Sequence, residues 1–294
     1  MLNPTGFLNK VEYFLWAARN CIGANLSCPA CGSGTTTLLK RKSFVTSLYR
    51  CEACYLLFRI PKSNVIENEK FYQKKYRQGF TTDRPDDAEL EDMKQKSFIG
   101  TEKDYTSYIS VLRSVGIQPG HVLFDFGASW GYGSWQFIQA GYRVYSYELS
   151  KPRSSYAEEK LGCHMVPDLE HFPEKADCFF SAHVIEHMSN PLALWETVQK
   201  VLKPDGVVIL ITPNGEPSRE CLLGNHYHQL WGRVHPILLT VDSLTFMARR
   251  FGFVGLGYSS PYEFSKITTF VPGQLEGDEL LFVARQNPQK QTIP

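Results

Sequence analysis

The sequence predicts an α/β protein with a doubly wound, mostly parallel sheet, and two observations support this. From about Thr101 onward, segments with apolar residues at helical spacing alternate with short apolar runs, which is typical of parallel strands joined by helices. Several of these runs are continuously apolar, as expected of strands that are buried on both faces. Ligands of such sheets bind at the carboxyl ends of the strands.

The individual elements follow from apolar spacing and from residues that stop a helix. Apolar residues between Tyr105 and Val115 predict a helix that Gly116 ends. Further helices are predicted near 134–140, from Asn190-Pro191 to the stop signal Lys203-Pro204-Asp205-Gly206, and within 240–253. Strands are predicted at 121–126, 143–148, 163–166, 177–182, 207–212 and 279–285.

The segment 121–148 reads as strand, glycine-rich turn, helix and strand, with Asp125 near the end of the first strand and Glu148 at the end of the second. Such a unit suits a ligand with an amino group and a ribose diol, because glycines let the backbone approach and the second acid can accept two hydroxyls. The dinucleotide fingerprint G-x-G-x-x-G fails here, since its positions hold Gly127, Ser129 and Tyr132.

The pattern of Asp125, Gly127, Ser129 and Gly131 resembles the first motif of class I S-adenosylmethionine-dependent methyltransferases, with Ser129 at the family's middle glycine. The segments ADCFFSAHVIEHMSNP, KVLKPDGVVILITPN and TVDSLTFMARRFGF resemble later parts of that family in the same order. The resemblance covers about residues 100–286. It implies a Rossmann-like, mostly parallel seven-stranded sheet and S-adenosylmethionine as cofactor.

The resemblance also assigns roles to residues. Asp125 is expected at the methionine end of the cofactor and Glu148 on the ribose, with Gly127, Ser129 and Gly131 forming the turn beneath it. Asp168 and Leu169 follow the third strand and are expected to hold the adenine, and His183 is expected to line the mouth of the cofactor or substrate site. The expected cofactor-binding residues are therefore Asp125, Gly127, Ser129, Gly131, Glu148, Asp168, Leu169 and His183.

Four cysteines predict a structural zinc site ahead of this domain. Cys28 and Cys31 form one C-x-x-C pair, Cys51 and Cys54 form another, and 19 residues separate the pairs. The intervening residues are rich in β-branched and aromatic types, as in a hairpin. Four protein ligands close a tetrahedral sphere, so the metal is expected to be structural. Cys21, Cys163, Cys178 and Cys221 lack ligand spacing and are interpreted as small apolar residues.

Composition places the chain among ordinary globular proteins. The 294 residues carry a net charge of +1, which gives no general argument for nucleic acid, and no apolar run is long enough to span a membrane. The predicted organisation is an amphipathic helix at 1–23, a zinc ribbon at 24–62, a helical connector at 63–100 and the methyltransferase domain at 101–294. The connector could act as a lid through Tyr72 or Tyr76. A cytoplasmic location is expected, and a homodimer is compatible with the N-terminal helix.

The segment from His183 to His187 fits the H-x-x-E-H pattern of inverted zinc peptidases. That chemistry needs both histidines on one face of a long helix, whereas here the motif directly follows a predicted strand. The peptidase interpretation is therefore set aside. His183 and Glu186 are expected to line the site, and His187 to pack or to satisfy a loop carbonyl.

Methyl transfer to a hydroxyl needs close positioning of donor and acceptor and a group that accepts a proton, but no catalytic metal. The segment 224–239 holds three histidines, and His235 is the first candidate for the base, with His183 as a second catalytic candidate. In similar zinc-ribbon sugar methyltransferases a glutamate precedes the histidine base, whereas here that position holds Val234. The segment's other histidines are His226 and His228.

Three functions remain open from the sequence. The resemblance favours O-methylation of a small molecule such as a sugar or an intermediate of polysaccharide or secondary-metabolite synthesis. An RNA methyltransferase could use the ribbon cations Lys40, Arg41, Lys42 and Arg50, although the net charge makes a nucleic-acid partner less favoured. The third possibility is a non-catalytic module that binds the cofactor.

Overall fold

The computed structural model describes residues 4–42, 44–62, 83–170, 172–218, 223–224, 227, 230–232 and 234–287. Its helices are α1 (Pro4–Asn20), α2 (Asp87–Gln95), α3 (Thr106–Ser114), α4 (Tyr132–Gln139), α5 (Lys151–Leu161), α6 (Leu192–Val201), α7 (Val241–Arg250) and α8 (Phe264–Thr268). Its strands are β1 (Thr36–Lys42), β2 (Thr46–Cys51), β3 (Leu57–Ile60), β4 (Val122–Phe126), β5 (Arg143–Tyr147), β6 (His164–Met165), β7 (Ala176–Ala182), β8 (Leu202–Pro213), β9 (Ile237–Leu238), β10 (Phe253–Ser259) and β11 (Glu279–Gln286).

The larger sheet has seven strands in the order β10-β11-β8-β7-β4-β5-β6. Strands β8, β7, β4, β5 and β6 are mutually parallel, and β11 runs antiparallel to both of its neighbours. Every residue of β4 is buried, because helices cover both faces of the sheet. The predicted α/β class and the Rossmann-like, mostly parallel seven-stranded sheet are confirmed.

A smaller sheet joins the N-terminal segment to the large domain. Strands β1, β2 and β3 form an antiparallel meander, and β9 pairs with β3 through Leu57 opposite Leu238 and Phe58 opposite Ile237. The Arg59 amide also donates to the Pro236 carbonyl at 2.8 Å. The strand that would otherwise be an exposed edge of the hairpin is thus paired with the segment that follows His235.

One apolar core runs through both sheets. Phe58 and Ile60 of β3 lie in the same buried cluster as Ile185, Ile237 and Phe124 of the large domain. The smaller sheet is therefore packed onto the large domain over a continuous apolar surface.

Helix α1 packs against the smaller sheet through aromatic side chains. The buried Arg59 guanidinium lies over the rings of Tyr13 and Trp16 at 5.7 and 5.3 Å, and it donates to the Tyr13 hydroxyl at 3.1 Å. Phe14 and Leu15 on the same helix are exposed. None of the helices in the described ranges is long and apolar enough to cross a membrane.

The connector contacts the large domain where it is described. Leu90 of α2 and the following Phe98 pack with Trp130, which belongs to the glycine-rich turn. Tyr72 and Tyr76, the side chains considered for a lid, lie outside the described residues. The same holds for Cys221, His226 and His228.

Several details differ from the predicted elements. Lys203-Pro204-Asp205-Gly206 does not stand as a separate turn, because β8 begins at Leu202, which pairs with Ala176 before a register shift. The strand predicted at 163–166 is reduced to His164–Met165. Helix α5, whose hydrophobic pattern is weak because its polar residues dominate, was not predicted and ends at Gly162 in the left-handed conformation.

Candidate functional site

The glycine-rich turn after β4 leaves no room for a side chain at two of its positions. Gly127 has φ of +87°, and a Cβ there would lie 2.2 Å from Cγ2 of Val184. Gly131 has φ of +88°, and a Cβ there would lie 2.7 Å from Cβ of Ala157. Both positions therefore need glycine for conformation and for space. The contact with Val184 also places the 183–187 segment directly against the turn.

Ser129 occupies the turn in a left-handed conformation with φ of +52°. That region costs a residue with a Cβ about 1 kcal/mol relative to glycine. Within the described part of the chain, its buried hydroxyl oxygen has no hydrogen-bond partner. An unsatisfied buried hydroxyl beside an open backbone turn is a feature that a polar ligand would satisfy.

Asp125 supports the turn from beneath. Its side chain is 3% exposed, and Oδ2 accepts a 2.6 Å hydrogen bond from the Ser134 hydroxyl, which in turn accepts one from the Ser146 hydroxyl. Burial raises the pKa of Asp125 to about 7, the bond from Ser134 opposes this, and the charge of Glu148 adds to it. A cationic ligand group nearby would favour the ionised carboxylate.

Glu148 follows β5 with both carboxylate oxygens held by backbone amides. Oε2 accepts from the Ser129 amide at 3.0 Å, and Oε1 accepts from the Ser150 amide at 2.8 Å. Burial raises its pKa, and the two amides oppose this. The carboxylate is therefore fixed at the strand end, where two acceptor oxygens could receive the hydroxyls of a ribose.

Asp168 and Leu169 follow β6, which pairs with β5. Both are partly buried; Asp168 accepts from the Glu170 amide at 2.9 Å, and Leu169 packs against the main core. The two residues thus lie at the same sheet edge as Glu148. They could border the adenine of a nucleoside whose ribose lies on Glu148.

His183 directly follows β7 in a left-handed conformation and is 44% exposed at its side chain. Its Nε2 lies 2.8 Å from Oε1 of Glu279, and its Nδ1 lies 3.5 Å from Oε1 of Glu186. Burial lowers the pKa of His183, but both carboxylates outweigh it and raise that pKa to about 10. The ring is therefore protonated at neutral pH and is a donor rather than a base.

The sequence did not suggest the partners of His183. Glu279 is 96 residues away, and it also accepts from the Tyr108 and Tyr262 hydroxyls at 2.7 and 2.9 Å. From the sequence, Tyr108 was interpreted only as one of the apolar residues that predict a helix. An acidic residue at the start of the last strand does not by itself indicate a functional role. Only the pairing of β11 with β8 in the structure reveals that Glu279 lies beside His183.

A second polar cluster joins Glu186, His187 and His235. One potential ligand atom of each lies within 4.8 Å of the others, and the two imidazole centroids are 4.7 Å apart. Glu186 is fully buried; burial would raise its pKa, but the neighbouring histidines, His183 first, lower that pKa to about 2. Burial lowers the pKa of His187 to about 4 against the opposing charge of Glu186.

The motif His183 to His187 does not lie on a long helix. Glu186 and His187 belong to a three-residue 3-10 turn, Ile185–His187, which agrees with setting aside the peptidase interpretation. His187 Nδ1 lies 2.9 Å from the Val234 carbonyl, so the expected contact with a loop carbonyl is present. Its closeness to His235 was not foreseen.

The four ribbon cysteines converge. The Sγ atoms of Cys28 and Cys54 are 3.5 Å apart, those of Cys31 and Cys51 are 3.4 Å apart, and all four lie within 4.8 Å of one another. Thiolates around a tetrahedral zinc with bonds near 2.3 Å would be about 3.8 Å apart. The group could therefore hold one zinc ion with modest adjustment. The hydrogen bond from Cys54 lowers the pKa of Cys28 to about 5.

Comparison with known proteins gives one family match. A family described as a methyltransferase domain matches residues 124–210, from β4 to β8. A search of curated proteins finds no match.

Solved structures include similar folds. A TehB-like SAM-dependent methyltransferase from Corynebacterium glutamicum is 16% identical with a TM-score of 0.47, over 68% of this chain and 97% of that one. Magnesium protoporphyrin IX methyltransferase from Synechocystis, with bound SAH, is 14% identical with a TM-score of 0.49, over 74% and 98%. A glycopeptide N-methyltransferase complexed with sinefungin is 18% identical with a TM-score of 0.47, over 63% and 94%.

The matched family spans the strand, glycine turn and strand ends that carry Asp125, Glu148 and His183. Its match agrees with the motif order in the sequence and with the confirmed sheet topology. The chain thus contains a methyltransferase domain that includes residues 124–210.

Proposed function

We propose that this methyltransferase methylates a hydroxyl oxygen of a small, sugar-like acceptor. The observation that carries the proposal is the contact of Val184 with Gly127, because it sets the cluster of Glu186, His187 and His235 beside the cofactor turn. A hydroxyl acceptor needs a nearby group that receives or displaces its proton, and this cluster offers one.

The cofactor supplies an electrophilic methyl group on a sulfonium. On this chain, Glu148 would bind the ribose hydroxyls, Asp168 and Leu169 would border the adenine, and Asp125 would favour the positively charged methionine end. Gly127, Ser129 and Gly131 would let the backbone approach. The orphaned Ser129 hydroxyl and the fixed Glu148 carboxylate support this fit.

His235 is the proposed residue that promotes loss of the acceptor's proton, and His183 is the proposed positioning group. His235 Nδ1 lies 2.9 Å from the Leu230 carbonyl, which can only accept, so Nδ1 carries the proton and Nε2 the lone pair. The Leu230 carbonyl thereby orients the ring, a task that Val234 cannot perform. A protonated His183, held between Glu279 and Glu186, would place a positive charge beside an acceptor oxygen.

The contacts of the ribbon cations favour a small acceptor over RNA. Lys42 donates to the Trp231 carbonyl at 3.2 Å and lies over its ring, Lys40 lies over the Tyr227 ring, and Arg50 pairs with Glu52. Cations that pack on the protein's own loop are poorly placed to neutralise phosphates. RNA methylation therefore remains the alternative that the assay below must exclude.

We also propose that Cys28, Cys31, Cys51 and Cys54 bind one structural zinc ion. Their sulfurs already converge, and four thiolates leave no open position for a substrate. Metal analysis of the purified protein is expected to find one zinc per chain. Loss of that zinc on substitution of any one cysteine would support the assignment, and a zinc-free folded protein would contradict it.

The central test is binding and transfer. Glu148→Ala is expected to weaken S-adenosylmethionine binding at least about 100-fold in calorimetry, since two charge-assisted hydrogen bonds are worth about 3 kcal/mol together. Glu159→Ala, an exposed change on α5, is the matched control. Labelled donor should methylate a component of a sugar-nucleotide pool. Label in RNA alone would establish the alternative, and absence of cofactor binding by the unaltered protein would refute the proposal.

A further inference from the structure

We propose that Glu186, His187 and His235 form a binding site for a divalent cation that coordinates the acceptor. This site is separate from the four ribbon cysteines. Its three residues come from two segments, the 3-10 turn after β7 and the residue two positions before β9. They present two imidazoles and one carboxylate with ligand atoms within 4.8 Å of one another.

Both imidazoles are oriented as metal ligands are. His187 Nδ1 lies 2.9 Å from the Val234 carbonyl, and His235 Nδ1 lies 2.9 Å from the Leu230 carbonyl. A carbonyl only accepts, so each Nδ1 carries the proton and each Nε2 carries the lone pair. Metal-bound histidines characteristically donate their second ring proton to a backbone carbonyl or a carboxylate.

The carboxylate of Glu186 provides an independent observation. Glu186 is 0% exposed, and its Oε2 accepts from the Thr212 hydroxyl at 3.1 Å. Its buried Oε1 has no hydrogen-bond partner in the described part of the chain, and the Nδ1 of His183 stands 3.5 Å away. The protonated His183 offsets part of the cost of burying this carboxylate, and the open position on Oε1 is one that a metal cation could fill.

The donor set defines the class of cation. Two nitrogens and one oxygen suit divalent first-row metals such as Mn²⁺, Fe²⁺, Co²⁺ and Zn²⁺, and a three-residue set leaves coordination positions open. Two neighbouring hydroxyl oxygens of a polyol could occupy two of those positions. The expected acceptor is therefore a vicinal diol rather than an isolated hydroxyl.

The chemical role rests on the proposed function, whereas cation binding does not. A coordinated hydroxyl has a lowered pKa and loses its proton to water. The oxygen lone pair then forms a bond to the methyl carbon, the carbon–sulfur bond breaks, and its electron pair stays on sulfur. The products are the methyl ether, S-adenosylhomocysteine and one proton. In this scheme His235 Nε2 binds the cation and does not itself take the proton.

The test measures cation binding without cofactor or acceptor. The zinc-loaded full chain is titrated with Mn²⁺, and free Mn²⁺ is followed by its electron paramagnetic resonance signal. The unaltered protein is expected to bind one Mn²⁺ per chain, and Glu186→Gln and His235→Gln are each expected to weaken binding at least tenfold. His164→Gln, a change at an exposed histidine, should leave binding unchanged.

Circular dichroism and S-adenosylmethionine calorimetry on the same variants separate misfolding from ligand loss. If Glu186→Gln unfolds, His235→Gln carries the test, because His235 is only half-buried. Failure of the unaltered protein to bind Mn²⁺, or equal binding by His235→Gln, overturns the inference and leaves His235 as a direct base. Failure to bind S-adenosylmethionine refutes the proposed function whatever the Mn²⁺ result.

Discussion

The proposed cofactor side and the proposed acceptor side of this site are built in opposite ways. The cofactor side is mostly one continuous stretch, in which β4, the glycine turn, α4 and β5 carry Asp125 and Glu148 within 24 residues. The acceptor side brings together His183 and Glu186 after β7, His235 before β9, and Glu279 at the start of β11. The cofactor side is therefore a local unit of the sequence, whereas the acceptor side is assembled from distant segments.

This difference determines which parts of the chain hold the residues of each side in place. The cofactor turn is held by its own backbone, by the nearby Glu148 and Ala157, and by Val184 after β7. His235 instead lies next to β9, which pairs with β3 of the cysteine-rich sheet. The acceptor side should therefore respond to damage in the N-terminal module, while the cofactor side should respond to changes within its own strand–turn–strand unit.

The largest effect is expected from a substitution that disrupts the acceptor side alone. Cys51→Ser removes one proposed zinc ligand, and structural zinc contributes about 10–16 kcal/mol of folding free energy in small domains. Loss of order in β2 and β3 would release β9 and His235. Methyl transfer is expected to fall at least 100-fold, while affinity for S-adenosylmethionine changes less than threefold by calorimetry.

Cys21→Ser is the matched control, because Cys21 lies outside the four-cysteine group. It should keep both zinc and activity. A Cys51→Ser protein that loses zinc but keeps full turnover would contradict the link between the ribbon and the acceptor side.

A second effect, of intermediate size, concerns the cofactor side. The pKa of Asp125 rises on folding from 3.8 to about 7 because the carboxyl is buried. The folded protein holds this proton more tightly, so its stability falls as pH rises from about 4 to 7. At about 1.4 kcal/mol per pKa unit, the loss is at most about 4 kcal/mol.

Asp125→Asn should remove this loss, so the cofactor-free variant should exceed the unaltered protein in stability more at pH 8 than at pH 5. Urea denaturation at both pH values measures the difference. S-adenosylmethionine affinity should fall in the same variant. The exposed change Asp205→Asn serves as control, and an identical pH dependence for Asp125→Asn and the unaltered protein would argue against a buried, protonated Asp125.

The smallest expected effect concerns the stability contribution of Ser129 in the glycine-rich turn. Ser129→Gly replaces a side chain at φ of +52° and also removes an unsatisfied buried hydroxyl. We expect a gain of about 0.5–1 kcal/mol in unfolding free energy. Ser107→Gly on α3 should instead cost about 0.5 kcal/mol. A destabilised Ser129→Gly would show that the serine hydroxyl has a stabilising partner.

Most of the fold could be predicted from local pattern. Apolar runs located β4, β5, β7, the apolar part of β8 and β11, because strands that are largely buried have a distinctive composition. Helix α5 was missed because only Ala157 and Leu161 are buried on it, which leaves little apolar periodicity. The Lys203–Gly206 segment ends helix α6 as predicted, but the structure includes it in β8, because a bulged strand and a turn share the same residue types.

The two sides of the site also differ in how far their residues could be predicted from local sequence. Asp125 and Glu148 were found because their positions at strand ends are fixed by nearby sequence, and their binding roles stay predictions. The contacts of His183 with Glu279, and of His187 with His235, join residues 96 and 48 positions apart. No local pattern specifies such pairs, since long-range strand pairing decides them.

The sequence by itself determined the α/β class, the glycine turn with its flanking acids and the two cysteine pairs, because each depends on spacing within a few tens of residues. Only the tertiary structure decided that β9 completes the cysteine-rich sheet, and that His235 therefore lies beside Glu186 and His187. Side chains from distant segments meet only after the sheets pack into one core.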